Sequence, residues 1–237
     1  MRDCVVDLKG MSGNAGNSAY WDVNVSGGGV VERCVIRNYK YTGDANGGGG
    51  FAHSAVTVAN GTVRNCLVQD CEVTASAESG IVGAAVRITG AGTFENCTVV
   101  NSKGRQAGSG LWISAAANAT PFVRNNIVWG STATDGSLNA DVYDGTTPAA
   151  PRITYSCASN LTVGEGNTTA DPRFIGVGRA KPPYSLSTYS PLLNAGILLG
   201  WMDGATDILG APRVAGLGPA MGCYESLYTG ATVLMLR

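Results

Sequence analysis

The sequence predicts an all-β solenoid of stacked parallel coils, because one short pattern recurs about every 30 residues along the chain. Successive copies begin 30, 32, 31 and 29 residues apart, and a sixth, weaker copy ends at Cys157. The copies are Arg2–Val6, Glu32–Ile36, Arg64–Val68, Glu95–Val99 and Arg124–Val128. Strands that recur with one phase stack in parallel, so we expect about five to six coils.

Composition and periodicity agree with a β fold rich in turns. Glycine contributes 34 of 237 residues and charged residues 14%, against usual values of about 7% and about 25%. A second short strand, such as Val56–Val58 or Val86–Ile88, precedes most copies, and an apolar residue lies three positions before the Cys. Sustained helical periodicity is absent from the sequence. Each coil is therefore predicted to contain three short strands and a longer loop.

In-register stacking predicts columns of equivalent side chains. The inward column is Cys4, Cys34, Cys66 and Cys97, continued by Asn126 and Cys157. Two residues before each position of this column, the charge alternates in sign: Arg2, Glu32, Arg64, Glu95 and Arg124. Opposite charges on neighbouring strands stabilise strand pairing. Between the two columns lie Asn65, Asn96 and Asn125, which tolerate left-handed backbone angles. Asp3 and Arg33 interrupt the Asn column, so we expect a less regular N-terminal end.

The seven cysteines are not predicted to form a disulfide framework. Inward Cys residues act as small apolar side chains, and directly stacked neighbours bridge poorly. We therefore expect free, buried thiols in the column, while the redox state of Cys71 and Cys223 stays open. The chain has a single histidine, His53, and no CxxC motif, which argues against a zinc site or a Cys–His nucleophile.

Several function classes are disfavoured by charge and hydropathy. The net charge is −1 and no basic run occurs, so nucleic acid is not an expected partner. The apolar run Val233–Leu236 is far shorter than the roughly 20 residues that span a bilayer. Met1–Arg2 leads directly into a strand-like segment without a hydrophobic signal region. We expect a secreted or cell-surface protein whose export signal lies outside this chain.

Residues 1–157 resemble a known superfamily. Runs such as Thr62–Val68 are similar to coils of the right-handed parallel β-helix proteins related to pectate lyases. This resemblance implies a right-handed parallel β-helix. It does not select one activity, because lyases, glycosidases, adhesins and phage proteins share the scaffold.

The C-terminal third resembles the closing segment of secreted bacterial proteins of the choice-of-anchor-Q type. The resemblance is carried by Asp171–Phe174, Tyr184–Leu186, Ser190–Gly196, Asp207–Arg213 and Met221–Glu225. Met221 replaces the acidic residue that this family usually has before the terminal Gly. Because Pro-rich loops cannot extend a strand ladder, we predict β-helix coils over residues 1–169 and an irregular capping segment over residues 170–237.

The outward face of one strand stack is the predicted binding site. Its central residues are Asn24, Thr57, Arg87, Trp112 and Tyr143. Aromatic rings stack on sugar rings, while Arg and Asn bind hydroxyls, so this row predicts binding of a polysaccharide or cell-surface glycan. Loops at residues 39–54, 71–83, 102–109 and 130–139 leave one corner and would wall a groove beside the row. A non-catalytic glycan-binding or adhesion module is the first functional hypothesis.

Two other functions remain open. A polysaccharide lyase needs carboxylates for Ca²⁺ and a base, and a glycoside hydrolase needs two carboxylates. Asp22, His53 and Asp141 lie at the margins of the row and are catalytic candidates together with Arg87, with Asp144 nearby. No resident metal or other cofactor is predicted outside the lyase hypothesis. The third hypothesis is a structural stalk within a longer surface protein.

Two further surfaces predict partners. The outward row Val5, Val35, Leu67, Thr98 and Ile127 is apolar, so either the C-terminal segment, including Val233–Leu236, or an oligomer should cover it. At the N-terminal end the first coil would expose unpaired strand edges, which predicts upstream coils or an oligomer partner there.

Overall fold

A computed structural model describes residues 1–9, 23–41, 53–74, 84–145, 150–176 and 182–225. Within these ranges the chain is an all-β parallel solenoid, which confirms the predicted fold class, with about four turns where five to six coils were predicted. In chain order the strands are β1 (Val5–Asp7), β2 (Val23–Val25), β3 (Val30–Glu32), β4 (Val35–Arg37), β5 (Lys40–Tyr41), β6 (Ser54–Val58), β7 (Thr62–Arg64), β8 (Leu67–Gln69), β9 (Glu72–Val73), β10 (Ala84–Ile88), β11 (Thr93–Glu95), β12 (Thr98–Val100), β13 (Lys103–Gly104), β14 (Leu111–Ile113), β15 (Phe122–Arg124), β16 (Ile127–Trp129), β17 (Thr132–Ala133), β18 (Val142–Asp144), β19 (Ile153–Thr154) and β20 (Cys157–Ala158).

The described strands form four parallel sheets that run along the solenoid. The first sheet has the order β1-β4-β8-β12-β16-β20, and the second has the order β5-β9-β13-β17. The third has the order β2-β6-β10-β14-β18, and the fourth has the order β3-β7-β11-β15-β19. The second sheet corrects the prediction of three strands per coil. Its strands are two residues long, too short to show a period of two in the sequence.

The strand register follows the repeat spacing. On the first sheet Val5 pairs with Val35, Val35 with Leu67, Leu67 with Thr98, Thr98 with Ile127, and Ile127 with Cys157. Inward side chains of all four sheets build one elongated apolar core. A one-residue slip would turn that whole set outward, so the core itself fixes the register.

The predicted alternating charges form ion pairs along the fourth sheet and the turn beside it. Glu32 carboxylate oxygens lie 3.1 Å from Arg2 Nε and 3.0 Å from Arg64 Nε. Glu95 Oε1 accepts from Arg124 Nε at 3.0 Å. A second alternating set lies on the second sheet, where Glu72 sits between Lys40 and Lys103 with Nζ–O distances of 3.0 and 3.3 Å.

The Asn column has left-handed backbone angles, with φ of 52°, 49° and 58° at Asn65, Asn96 and Asn125. Asp3 and Arg33 have φ of 53° and 51°, so the left-handed bend continues at the N-terminal end although the Asn side chains do not. The sharp bend between the fourth and first sheets requires this conformation in each coil, whatever the side chain.

The irregular C-terminal segment covers part of the first sheet. Leu67 packs in one apolar cluster with Cys223 and Tyr224, and Ile127 in another with Met221. The predicted intramolecular cover is therefore confirmed for these coils, whereas Val5 remains 62% exposed. The expected contribution of Val233–Leu236 lies outside the described residues, and the boundary between residues 169 and 170 stays a prediction.

The Asn column also holds the C-terminal segment in place. Nδ2 of Asn65 donates to the Thr206 carbonyl at 3.0 Å, and Nδ2 of Asn96 donates to the Ala220 carbonyl at 3.2 Å. Asn125 donates to the Ile197 carbonyl and accepts from its N–H, both at 2.8 Å. Among the described residues the column also has one internal side-chain bond, from Asn125 Nδ2 to Asn96 Oδ1 at 3.3 Å.

A buried ion pair stabilises the segment from within. Arg213 is fully buried, and its guanidinium lies 3.2 Å from Oε2 of Glu225. The same guanidinium donates to the Ala220 carbonyl at 2.6 Å and to Asn65 Oδ1 at 3.4 Å. Burial lowers the pKa of Arg213, and the nearby Glu225 carboxylate opposes that shift.

All seven thiols are free, as predicted for the Cys column. Cys4 is exposed, so the expected burial is wrong for the first residue of the column, whereas the other six thiols are buried. Burial raises the pKa of Cys71, Cys157 and Cys223 to about 12. Burial therefore disfavours the thiolate forms of Cys71 and Cys223, whose redox state the sequence left open.

No helix in the described part of the chain is long and apolar enough to cross a bilayer.

Candidate functional site

The predicted row is continuous on the outward face of the third sheet. Asn24 pairs with Thr57, Thr57 with Arg87, Arg87 with Trp112, and Trp112 with Tyr143. Neighbouring strands lie about 4.8 Å apart, so the row extends about 19 Å along the solenoid. We call these five residues the stripe.

Strand alternation explains why the stripe faces outward. In β10 the flanking residues Val86 and Ile88 are fully buried in the core, while Arg87 between them is partly exposed. Leu111 and Ile113 flank Trp112 in the same way. Because side chains alternate along a strand, burying the flanking pair directs the central residue to the surface.

Arg87 and Trp112 form the centre of the stripe. The Arg87 guanidinium carbon lies 5.0 Å from the centroid of the indole ring, and Nε donates to Ser114 Oγ at 2.9 Å. Such a cation–π contact contributes about 0.5–1 kcal/mol at an exposed site. Trp112 therefore holds Arg87 in position and has one ring face covered, which limits its predicted role as a stacking platform.

Tyr143 is the more accessible aromatic ring of the stripe. It is 40% exposed and lies on β18, the edge strand of the third sheet. Gly108 packs closely against this end, because a Cβ added there would lie 2.8 Å from Tyr143 Cβ and 3.2 Å from Trp112 Cβ. Its φ of +74° also favours glycine.

Two of the four predicted loops stack beside the stripe. Gly108 N–H donates to the Asn139 carbonyl at 2.8 Å, joining loop 102–109 to loop 130–139. The first loop contacts the stripe through Gly108, as the predicted groove requires. Loops 39–54 and 71–83 lie mainly outside the described residues.

The polar end of the stripe is formed by Asn24 and Thr57. Asn24 is exposed on β2. Thr57 is partly exposed, and its hydroxyl lies 2.8 Å from Ser54 Oγ. Amide and hydroxyl groups at this end suit hydrogen bonds with sugar hydroxyls.

The described catalytic candidates His53 and Asp141 each have structural contacts of their own. Asp22 lies outside the described residues. His53 stacks on Tyr41, with ring centroids 3.8 Å apart. Asp141 is 2% exposed and accepts from the N–H groups of Ser131 at 2.8 Å and Ser159 at 3.1 Å.

Asp144 forms an ion pair with Arg152, whose Nε donates to Oδ2 at 2.8 Å. Asp141 and Asp144 thus connect parts of the last coil. Within the described ranges, no group of three or more His, Cys, Asp or Glu side chains is arranged to hold a metal ion.

A cleft of about 640 Å³ lies elsewhere, in the C-terminal segment. Leu199, Met202 and Pro212 are among its lining residues. The stripe lies outside this cleft, on the surface of a sheet. Such a row suits contact with an extended chain better than enclosure of a small molecule.

Two residues of the site were not predicted from the sequence: Ser114, which positions Arg87, and Gly108, which packs against the aromatic end. Ser114 follows β14, and its role depends on a neighbouring coil 27 residues earlier. Neither residue belongs to a column that repeats in every coil. Only the repeat period itself offered a signal, because it places Ser114 next to β10.

Comparisons with known proteins add no relative. No family model, no curated protein and no solved structure matches the chain. Any functional conclusion therefore depends on the geometry of the chain itself.

Proposed function

We propose that this chain is a non-catalytic β-helix module that binds glycan through the stripe. The observation that supports this proposal is the in-register alignment of Asn24, Thr57, Arg87, Trp112 and Tyr143 on one outward sheet face. The row combines an exposed aromatic ring with a positioned guanidinium and with amide and hydroxyl groups. This combination can stack on sugar rings and bind their hydroxyls.

An extended polysaccharide is the ligand that matches the stripe. Its long axis would follow the solenoid axis, so that successive sugar units meet side chains from successive coils about 4.8 Å apart. Tyr143 would stack on a sugar at one end. Arg87, Thr57 and Asn24 would bind hydroxyl or acidic groups toward the other end.

The proposal assigns no catalytic role because of where the carboxylates lie. Asp141 binds two backbone N–H groups, and Asp144 binds Arg152. Both contacts hold the last coil together. General acid–base chemistry requires a carboxyl group within reach of the sugar linkage. The contacts of Asp141 and Asp144 do not favour a role of either carboxylate as that group.

We further propose that the chain belongs to the right-handed, pectate-lyase-like β-helix proteins and has a C-terminal segment of the choice-of-anchor-Q type. The coil repeat and the order of the C-terminal motifs support this assignment. The assignment implies a secreted or cell-surface bacterial protein with an adhesive role.

The test is retention on immobilised neutral and acidic polysaccharides. We expect retention of the wild type and at least tenfold weaker binding for Tyr143→Ala and Arg87→Ala. Phe122→Ala is the matched control, since Phe122 is 52% exposed on the fourth sheet, outside the stripe. Equal losses in Tyr143→Ala and Phe122→Ala, or no retention of the wild type, would overturn the binding site.

The same incubations distinguish binding from catalysis. New reducing ends, or ultraviolet absorbance from unsaturated sugar ends, would identify a hydrolase or a lyase and refute the non-catalytic role. Retention without either product is the expected outcome.

A further inference from the structure

The stripe carries a single charged side chain. Arg87 is a cation, whereas Asn24, Thr57, Trp112 and Tyr143 are neutral. On a polysaccharide that follows the solenoid axis, successive sugars would meet successive coils about 4.8 Å apart. A polymer with a carboxylate on every sugar would therefore place about five negative charges along a row that offers one positive charge.

The guanidinium of Arg87 is already engaged by the protein. Its Nε donates to Ser114 Oγ at 2.9 Å, and its central carbon lies 5.0 Å from the centroid of the Trp112 ring. Arginine binds a carboxylate most strongly through two parallel N–H bonds. A two-bond contact that included Nε would have to break the hydrogen bond to Ser114. This hydrogen bond therefore reduces the advantage of a carboxylate over a hydroxyl group as a ligand of Arg87.

The aromatic end of the stripe is flanked by carboxylates. Asp141 lies two residues before Tyr143, and Asp144 follows it directly. Arg152 pairs with Asp144, whereas Asp141 is held by two neutral backbone N–H groups. Two carboxylates and one guanidinium leave a net charge of −1 at this end. An acidic sugar on Tyr143 would therefore meet charge of its own sign, which opposes binding.

The described loops add no net positive charge beside the stripe. Loop 102–109 contains Lys103 and Arg105. Lys103 pairs with Glu72 on the second sheet, with an Nζ–O distance of 3.3 Å. Asp135 of the next loop lies beside Arg105, because its N–H donates to the Arg105 carbonyl at 2.9 Å. Each cation of this loop thus has an acidic residue as its neighbour in an adjacent coil.

The other connections that lead into the third sheet have the same bias in their sequence. Each of the three segments before β2, β6 and β10 contains one acidic residue and neither Lys nor Arg: residues 10–22, 42–52 and 75–83. These segments therefore offer an anionic ligand no additional cation.

We propose that the stripe selects an uncharged polysaccharide over an acidic one. The inference rests on the proposed glycan binding and names the class of glycan. Hydroxyl groups of a neutral chain suit the polar end of the stripe, and its sugar rings suit Tyr143. An acidic chain is rejected because it brings carboxylates next to Asp141 and Asp144. Repulsion of the wrong ligand is a common source of specificity.

The test compares neutral polysaccharides with their own carboxymethylated forms, which share backbone and linkage. The probes are hydroxyethyl cellulose beside carboxymethyl cellulose, and dextran and soluble starch beside their carboxymethylated derivatives. We expect the wild type to be retained on at least one neutral polymer and at least tenfold more weakly on its acidic form. This difference should shrink between about 50 and 500 mM sodium chloride, because salt screens repulsion. Tyr143→Ala should abolish retention on the neutral polymer.

A charge added to the stripe tests the physical cause. Thr57→Lys places a second cation one coil from Arg87 and should raise retention on the carboxymethylated polymer at least fivefold. Thr188→Lys is the matched control, since Thr188 is exposed in the C-terminal segment and the same substitution there should change retention less than twofold. Circular dichroism checks that both variants fold. Should Thr57→Lys lose its β signal, Asn24→Lys on β2 replaces it.

The outcomes distinguish this inference from the proposed function. Stronger retention on a carboxymethylated polymer, lost in Tyr143→Ala, would keep the stripe as a glycan site and overturn its preference for neutral chains. Equal effects of Thr57→Lys and Thr188→Lys would overturn the assignment of the preference to the charge of the row. Retention on none of the polymers, or retention that Tyr143→Ala leaves unchanged, would refute the stripe itself and the preference with it.

Discussion

The indole N–H of Trp201 donates to Oε2 of Glu95 at 2.8 Å, and the Arg64 guanidinium carbon lies 4.6 Å from the centroid of the same ring. Trp201 belongs to the C-terminal segment, whereas Glu95 and Arg64 belong to neighbouring strands of the fourth sheet. One aromatic side chain therefore joins the two ion-paired parts of the charge column. It also attaches the segment to the coils.

Trp201→Phe should lower the free energy of unfolding by about 1.5–3 kcal/mol beyond the loss of ring area, because buried Glu95 loses a hydrogen-bond donor. Urea unfolding measures this change. Trp112→Phe is the matched control, since the Trp112 indole N–H is buried and has no acceptor in the described part of the chain. Equal losses in the two variants would show that the Trp201 hydrogen bond is unimportant.

Asn125→Ala should destabilise the protein by about 2–4 kcal/mol, from left-handed backbone strain and lost hydrogen bonds to Ile197. Asn125→Gly loses the same bonds but tolerates the φ of 58°, so it should be the milder change. Guanidinium unfolding of both variants separates the two effects. Identical values for Ala and Gly would contradict the claim of backbone strain.

Thiol labelling should find one fast cysteine in the folded protein. Cys4 is exposed, while the other six thiols are buried, and burial holds the pKa of Cys71, Cys157 and Cys223 near 12. A disulfide reagent at mildly alkaline pH should therefore react rapidly once per chain, and seven times in denaturant. Cys4→Ser should abolish the fast phase. A second fast thiol in that variant would reveal an opening of the core.

Glu72 should contribute stability that depends on pH. Its hydrogen bond to Lys40, followed by that to Lys103, holds the pKa of Glu72 below its usual value, although burial partly opposes the shift. A lowered folded-state pKa gives stability that is present above the unfolded value, about 4.3, and is lost as pH falls through the folded value.

Glu72→Gln should accordingly melt below the wild type at pH 7. The two melting temperatures should converge as the pH is lowered past about 4. Thermal unfolding at several pH values between 7 and 3 provides the comparison. A difference that stays constant over that range would mean that Glu72 acts through packing and not through its charge.

The fold could be predicted because a solenoid converts sequence period directly into spatial neighbours. Cys34, Cys66 and Cys97 share one column for this reason, and so do the stripe residues Thr57 and Arg87. The second sheet escaped prediction, because two-residue strands carry no period. For the same reason, the alternating charges of Lys40, Glu72 and Lys103 on that sheet could not be predicted.

The C-terminal contacts could not be predicted from periodicity. Asn65 binds Thr206, 141 residues away, and Asn96 binds Ala220, 124 residues away. The left-handed turns were predicted from the Asn side chains. The side-chain amides of these Asn residues also bind the C-terminal segment. This role depends on where the segment folds against the coils, which the repeat period does not show.

The long separation between the first sheet and its cover affects synthesis. Thr98 Oγ1 accepts from the Cys223 N–H across 125 residues. At about 5–20 residues per second, a ribosome needs about 6–25 s to complete the cover after the sheet residue has been added. During that interval the apolar side chains of Leu67 and Ile127 face the cellular environment. We therefore expect this sheet face to be prone to association in newly made chains until the C-terminal segment has been added and covers it.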